Sequence, residues 1–232
     1  EAYPGFPPAI HIKDGRSFVM DYVQGQDLLT IMQKPFLETN GLLEKVSEYL
    51  KRIYSREEGF MGKSSASGQI VYTYKYEKFG PPLYRDKLKG SLALWENTLD
   101  AYPAQMIHND LHTGNVLIDE QGRVRSIDPR GDIYETRDVA KDIGRFLAAV
   151  TCAAHDNRYA FREIMVAAET VVVPWQDVAD LFPRVAFYIG QSYLSFSRWD
   201  TSRLAKEGLF SVGLHILEKG PSAYVDIEDL SY

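Results

Sequence analysis

Apolar residues recur along this chain with two different periods. Strand-forming residues fill positions 9–13 and 17–22, on either side of Asp14-Gly15. A two-residue Asp-Gly turn between such runs predicts a β-hairpin. Ahead of it, Tyr3-Pro4-Gly5-Phe6-Pro7-Pro8 is too rich in proline for regular structure. From about residue 27 the texture becomes helical. Leu42, Val46, Leu50 and Ile53 repeat at helical spacing, as do Leu88, Leu92, Trp95 and Leu99, and again Val139, Ile143, Phe146 and Val150. Residues 54–80 are less decided: Lys63-Ser64-Ser65-Ala66-Ser67-Gly68 predicts a flexible loop, and Ile70-Val71-Tyr72-Thr73-Tyr74 a short strand or extended segment. A second hairpin is expected where Val116-Leu117-Ile118 and Val124-Arg125-Ser126-Ile127 flank Asp119-Glu120-Gln121-Gly122. The last third reads as helix, broken at Pro174 and around Asp200.

Composition narrows the class. The 232 residues suffice for one large domain or two small ones with a sizeable core. The net charge of −6, with no basic block, argues against a nucleic-acid partner. The single cysteine, Cys152, excludes an intrachain disulfide, and its apolar surroundings predict a small buried side chain. No uncharged apolar run is long enough to span a membrane and no signal peptide opens the chain, so a cytoplasmic protein without a membrane partner is expected. The first residue is Glu1, and the sequence is expected to begin inside a longer protein.

The chemistry concentrates in Ile107-His108-Asn109-Asp110-Leu111-His112-Thr113-Gly114-Asn115, followed across the second hairpin by Ile127-Asp128-Pro129-Arg130-Gly131. Phosphoryl transfer requires an acceptor for the hydroxyl proton, in line with the γ-phosphate, and oxygen ligands for Mg2+. In kinases an Asp and an Asn five positions later share one tight loop, and a second Asp follows the next hairpin. Asp110, Asn115 and Asp128 have that spacing. A His, an Asp and an Asn at three fixed positions arise by chance in about 3% of chains this long. The apolar strand after Asn115 and the hairpin ending at Asp128 lower that figure further.

At these residues the chain resembles the aminoglycoside phosphotransferase and choline kinase-like family, whose catalytic loop reads His-x-Asp-Leu-His-x-Gly-Asn. The resemblance implies an α+β, protein-kinase-like fold: a mostly helical C-terminal lobe with a small catalytic β-hairpin, preceded by a remnant of the N-terminal lobe sheet and hinge. It implies Asp110 as catalytic base, Asn115 and Asp128 as Mg2+ ligands, and ATP or GTP as phosphate donor. His108 is expected to hold the loop by hydrogen bonds; for His112 a structural role and a place near the acceptor both remain open. Phe18-Val19-Met20-Asp21-Tyr22-Val23-Gln24-Gly25 looks like the kinase hinge, which would put Met20 behind the adenine and use the backbone of Asp21 and Val23 to bind it. Residues 1–25 would then end the N-terminal lobe and 26–232 form the catalytic and substrate-binding lobe.

Asp128 and Asp138 are separated by ten positions, with no Ala-Pro-Glu motif, which favours a small-molecule hydroxyl over a protein acceptor. Asp138 is expected to cap the following helix, and the family places a loop-bracing Asp here. Arg130 suits either an anionic group or a surface salt bridge. Tyr193, Arg198, Trp199 and Asp200 are candidates for the acceptor side, with core packing expected for Tyr193 and Trp199. About seventeen residues precede the hinge, with no glycine-rich loop and no strand Lys for the phosphates. Either an N-terminal lobe comes from upstream in the same protein or from another chain, or this is a catalytically incomplete ligand-binding or regulatory module.

Overall fold

The structure, a computed structural model, describes residues 10–12, 18–20, 22–34, 41–54, 62–63, 70, 73–99, 103–104, 108–129, 138–153, 178–198 and 203–222. Strands β1 (Ile10–Ile12) and β2 (Phe18–Met20) pair antiparallel, with Ile10 opposite Met20. This is the expected first hairpin; its Asp14-Gly15 turn lies outside the described residues. Strand β3 (Gly25–Asp27) leads directly into helix α1 (Leu28–Met32), where the helical texture was expected to begin. Asp27 caps that helix, its carboxylate accepting from the Thr30 N–H at 2.8 Å and satisfying one of the N–H groups that a first turn leaves without a partner.

The second hairpin is also present. Strands β6 (Val116–Asp119) and β7 (Val124–Ser126) pair antiparallel, and β3 adds to the other edge of β6, giving the order β3-β6-β7. Gly122 has φ +70 and donates its N–H to the Asp119 carbonyl at 2.8 Å, closing the turn. Gly25 stands where a Cβ would lie 2.5 Å from the Ile118 carbonyl oxygen, so β3 can approach the hairpin only without a side chain there. Two further short strands, β4 (Gly62–Lys63) and β5 (Pro103–Ala104), pair with each other.

The body is helical: α2 (Leu42–Tyr54), α3 (Tyr84–Ala93), α4 (Val139–Ala153), α5 (Val178–Ser197) and α6 (Arg203–Lys219). Their apolar stripes join one core with Leu28, Leu111, Val116 and Val124 from around the sheet. Each fully buried Val, Leu, Ile or Phe contributes about 1.5–3 kcal/mol to that core. The helices cross closely where side chains are absent. A Cβ on Gly144 of α4 would sit 2.7 Å from the Val185 carbonyl of α5, and one on Gly213 of α6 would sit 2.7 Å from the Gly190 carbonyl. Trp95, fully buried, donates its indole N–H to the Leu217 carbonyl at 2.9 Å and ties the segment after α3 to α6.

Three local expectations are corrected. The Leu88–Leu92–Trp95–Leu99 period outruns its helix: α3 ends at Ala93, and Trp95 and Leu99 are buried from the turns that follow. Ile70, Thr73 and Tyr74 are helical rather than extended, and they run into a 3-10 turn at Lys75–Phe79. Tertiary contacts override the strand-like composition there: buried Thr73 accepts from the Gln191 side chain at 2.6 Å, and Tyr76 packs into the core. Cys152 is exposed. It lies two residues past Val150, roughly 200° around the helix from the stripe that Val139, Ile143, Phe146 and Val150 bury. The break around Asp200 falls between α5 and α6, though Asp200 and Pro174 lie outside the described residues, as do 64–68. No helix among the described residues is long and apolar enough to cross a membrane.

Candidate active site

The candidate loop runs from His108 to a 3-10 turn at Thr113–Asn115 that delivers the chain into β6. Backbone geometry marks it. Asn109 (φ 65) and Asp128 (φ 53) are the non-glycine residues with positive φ among the described residues, and both belong to the site. Such conformations cost about 1–3 kcal/mol each and persist only where the surroundings hold them, as they do here at both ends.

Asp142, fully buried on α4, holds the start of the loop. Its two carboxylate oxygens accept the N–H groups of His108 at 2.6 Å and of Asn109 at 2.8 Å. The Tyr54 hydroxyl from α2 donates to the same carboxylate at 2.5 Å. Burial pushes the Asp142 carboxyl up from its ordinary value, an effect opposed by neighbouring His108 and by the Tyr54 hydrogen bond. Burial, with the Asp142 charge beside it, raises the Tyr54 phenol well above its ordinary value, so the phenol remains a donor. The brace that the resemblance suggested for Asp138 therefore belongs to Asp142. Asp138 does cap α4, accepting from the Ala140 N–H at 3.0 Å, and its other oxygen pairs with buried Arg184 at 2.8 Å.

Ile127 ties the end of the hairpin to the loop through both of its backbone groups. Its N–H donates to the Asn115 carbonyl at 2.9 Å, and its carbonyl accepts from His108 Nε2 at 2.9 Å. Asp128 follows immediately, so this pair of bonds brings its backbone up to the loop. The His108 ring thus carries its proton on Nε2, while Nδ1 is buried without a partner. Burial lowers the His108 pKa against the opposing pull of Asp142 and the Ile127 carbonyl, keeping the imidazole neutral.

Asn115 is buried, and its side-chain N–H donates to the Asp110 carbonyl at 3.0 Å, which fixes the orientation of its amide. His112 accepts the Gly114 N–H on Nδ1 at 3.1 Å and so caps the 3-10 turn. A Cβ at Gly114 would crowd the His112 ring at 3.1 Å, which accounts for glycine at that position. Of the two roles left open for His112, the observed bond serves the structural one. Asp110 is almost fully buried, and one of its oxygens lies 2.5 Å from the Arg145 guanidinium.

Met20 belongs to β2, and half-buried Val23 to the otherwise exposed link before β3; Asp21 and Arg130 lie outside the described residues. Tyr193 is buried, its hydroxyl 3.0 Å from Thr151, in keeping with core packing. The Arg198 guanidinium stacks over Phe79 at 5.6 Å; Trp199 lies outside the described residues. Tyr54, Asp142 and Arg145 were not among the residues singled out in the sequence. The signal for Asp142 was present: an acidic residue three positions after Val139 and four before Phe146, within the stripe that the helix buries.

A helical body, a small β-hairpin and a His-x-Asp loop pinned to the hairpin's end define a protein-kinase-like fold. The model of the phosphotransferase enzyme family matches residues 9–127, just over half of the chain, and the chain belongs to that family. The match includes Asp110 and Asn115 and stops one residue before Asp128. Among curated protein sequences nothing matches. Among solved structures, a choline/ethanolamine kinase family protein from Mesorhizobium loti superposes with TM-score 0.61 at 16% identity, over 93% of this chain and 80% of that one. A glucosamine kinase superposes with TM-score 0.61 at 14% identity, over 93% of this chain and 64% of that one. Glucosamine kinase in complex with glucosamine, ADP and inorganic phosphate gives TM-score 0.54 at 11% identity, over 81% of this chain and 55% of that one. The chain thus spans less than two thirds of the glucosamine kinases it resembles.

Proposed function

We propose that this chain carries the catalytic lobe of a small-molecule kinase, which moves the γ-phosphate of ATP or GTP onto a hydroxyl of its acceptor. The observation that carries this reading is the double hydrogen bond of Ile127 to Asn115 and His108. It ties the residue before Asp128 to the loop that carries Asp110 and Asn115.

In this reading the acceptor hydroxyl donates to the Asp110 carboxylate, which takes its proton as the oxygen attacks the γ-phosphorus in line with the departing nucleoside diphosphate. The oriented amide oxygen of Asn115 and the exposed carboxylate of Asp128 would hold Mg2+. Two hard oxygen donors fit the ion, which needs only one or two protein ligands when phosphates and water complete its shell. When bound, it neutralises charge on the phosphate oxygens. Family membership, the short Asp128–Asp138 interval and kinases of choline, ethanolamine and glucosamine type among the similar folds support a small acceptor. Met20, Asp21 and Val23 would border the adenine.

The test is phosphoryl transfer by the native full-length protein with Mg2+, ATP or GTP, and a panel of choline, ethanolamine, glucosamine and aminoglycosides. Mg2+-dependent transfer to one of these acceptors is expected. Transfer to none of them refutes the reading and leaves a ligand-binding or regulatory module, whereas transfer to a protein alone refutes the small-molecule acceptor.

A further inference from the structure

We propose that Arg145 is a positioning residue that orients the Asp110 carboxylate for proton transfer. One turn of α4 would then hold both the backbone and the side chain of the catalytic loop. This inference rests on the assignment of Asp110 as base.

Arg145 follows Asp142 by three residues, and residues so spaced share a helix face. Asp142 takes the loop's N–H groups, and Arg145 takes its carboxylate, with Nη2 2.5 Å from Asp110 Oδ1. Little of either side chain is exposed, 19% for Arg145 and 5% for Asp110. The guanidinium plane is set from the other side by α5, where the Phe196 ring lies 5.6 Å beneath it, and Phe196 in turn meets Tyr193 at 6.4 Å. The Asp110 carboxylate is thus held at one oxygen by a guanidinium that is itself largely buried and lies over an aromatic ring.

Stability alone accounts poorly for this arrangement. Arg145 Nε is buried with no acceptor, and a buried ion pair is often no better for folding than an apolar residue of similar volume. Methionine would fill the space over Phe196 without leaving a donor unpaired. What methionine cannot do is hold Asp110 in one rotamer beside a second carboxylate, Asp128, and incoming phosphates, all of like charge. In phosphoryl transfer the protein contributes chiefly through position and charge, so a misoriented base loses rate without loss of nucleotide affinity.

The experiment is a double-mutant cycle in the native full-length protein. Arg145→Met and Arg145→Lys are made in the wild-type and Asp110→Asn backgrounds, and kcat and KM are measured with ATP and whichever of choline, ethanolamine or glucosamine is phosphorylated. Arg145→Met should lower kcat about 10–100-fold with KM for ATP within about twofold, and Arg145→Lys should recover part of the loss. In the Asp110→Asn background the same change should cost less than about threefold, because no base remains to be oriented. Equal losses in both backgrounds, or a kcat within twofold of wild type, overturn the proposal. Urea denaturation checks the fold of each variant; if Arg145→Met does not fold, Arg145→Gln carries the cycle with the same criteria. Wild-type protein that transfers no phosphate overturns the kinase reading itself, and with it this inference, before any variant is compared.

Discussion

Replacing Asp142 with alanine removes the acceptor for three donors at once: the His108 and Asn109 N–H groups and the Tyr54 hydroxyl. Asp142 is fully buried, so water does not replace the lost bonds. A buried donor left without a partner costs about 1–3 kcal/mol, which puts the gross loss at about 3–9 kcal/mol. Part is returned, because the carboxylate no longer suffers the burial that pushes its pKa up. A net loss near the low end, about 3–4 kcal/mol, is expected, against a total stability typically of 5–15 kcal/mol. For a domain of this size that lowers Tm by about 6–16 °C. Urea denaturation should show a lower midpoint with an unchanged slope, and hydrogen exchange at His108 and Asn109 should accelerate more than at core amides of α5. Tyr54→Phe, which removes one of the three bonds, should cost about 1–2 kcal/mol. A loss below about 1 kcal/mol for Asp142→Ala, with protection at His108 and Asn109 retained, would mean that this carboxylate does not brace the loop.

Asp110→Asn should reduce turnover about 10²–10⁴-fold while nucleotide affinity stays near wild type; unchanged turnover removes Asp110 from the role of base. Asp128→Ala should abolish the Mg2+ dependence of nucleotide binding, read by calorimetric titration with and without the ion, and equal affinities in wild type and variant would assign Asp128 to the turn alone. His108 gives a pH signature. Its folded pKa lies below the ordinary value of 6.5, so its contribution to stability is present above pH 6.5 and fades as the pH falls through the folded value. The stability difference between wild type and His108→Gln should therefore shrink from pH 8 to pH 5, and a constant difference would count against a buried neutral imidazole.

Much of this fold was legible because local and tertiary demands agree. The Asp119-Glu120-Gln121-Gly122 turn needs a positive φ and has glycine to supply it, and the flanking apolar residues pair in the expected hairpin. The stripe of Val139, Ile143, Phe146 and Val150 predicts α4 and is buried along its length. Expectation failed where distant partners decide. Residues 70–74 look like a strand, yet Thr73 is held by Gln191, 118 positions away. Trp95 keeps helical spacing with Leu92, yet lies beyond the helix because its indole is anchored on Leu217.

The site divides in the same way. Asp110, Asn115 and Asp128 stand out as candidates because phosphoryl transfer demands particular donors at particular intervals along one loop and one hairpin. The residues that hold those donors in place obey no such interval. Ile127 acts through backbone groups that any residue but proline offers in full, so its side chain carries no trace of the role. Asp142 and Arg145 act across 34 and 35 positions, from a helix whose apolar period was the dominant signal. The informative feature was the exception within that period. A carboxylate set into a buried stripe is costly unless partners await it, and here the partners are the N–H groups of a strained loop. A charged residue that interrupts the buried face of a helix therefore points to backbone that the rest of the fold leaves unsatisfied, and in this chain that backbone is the start of the candidate loop at His108 and Asn109.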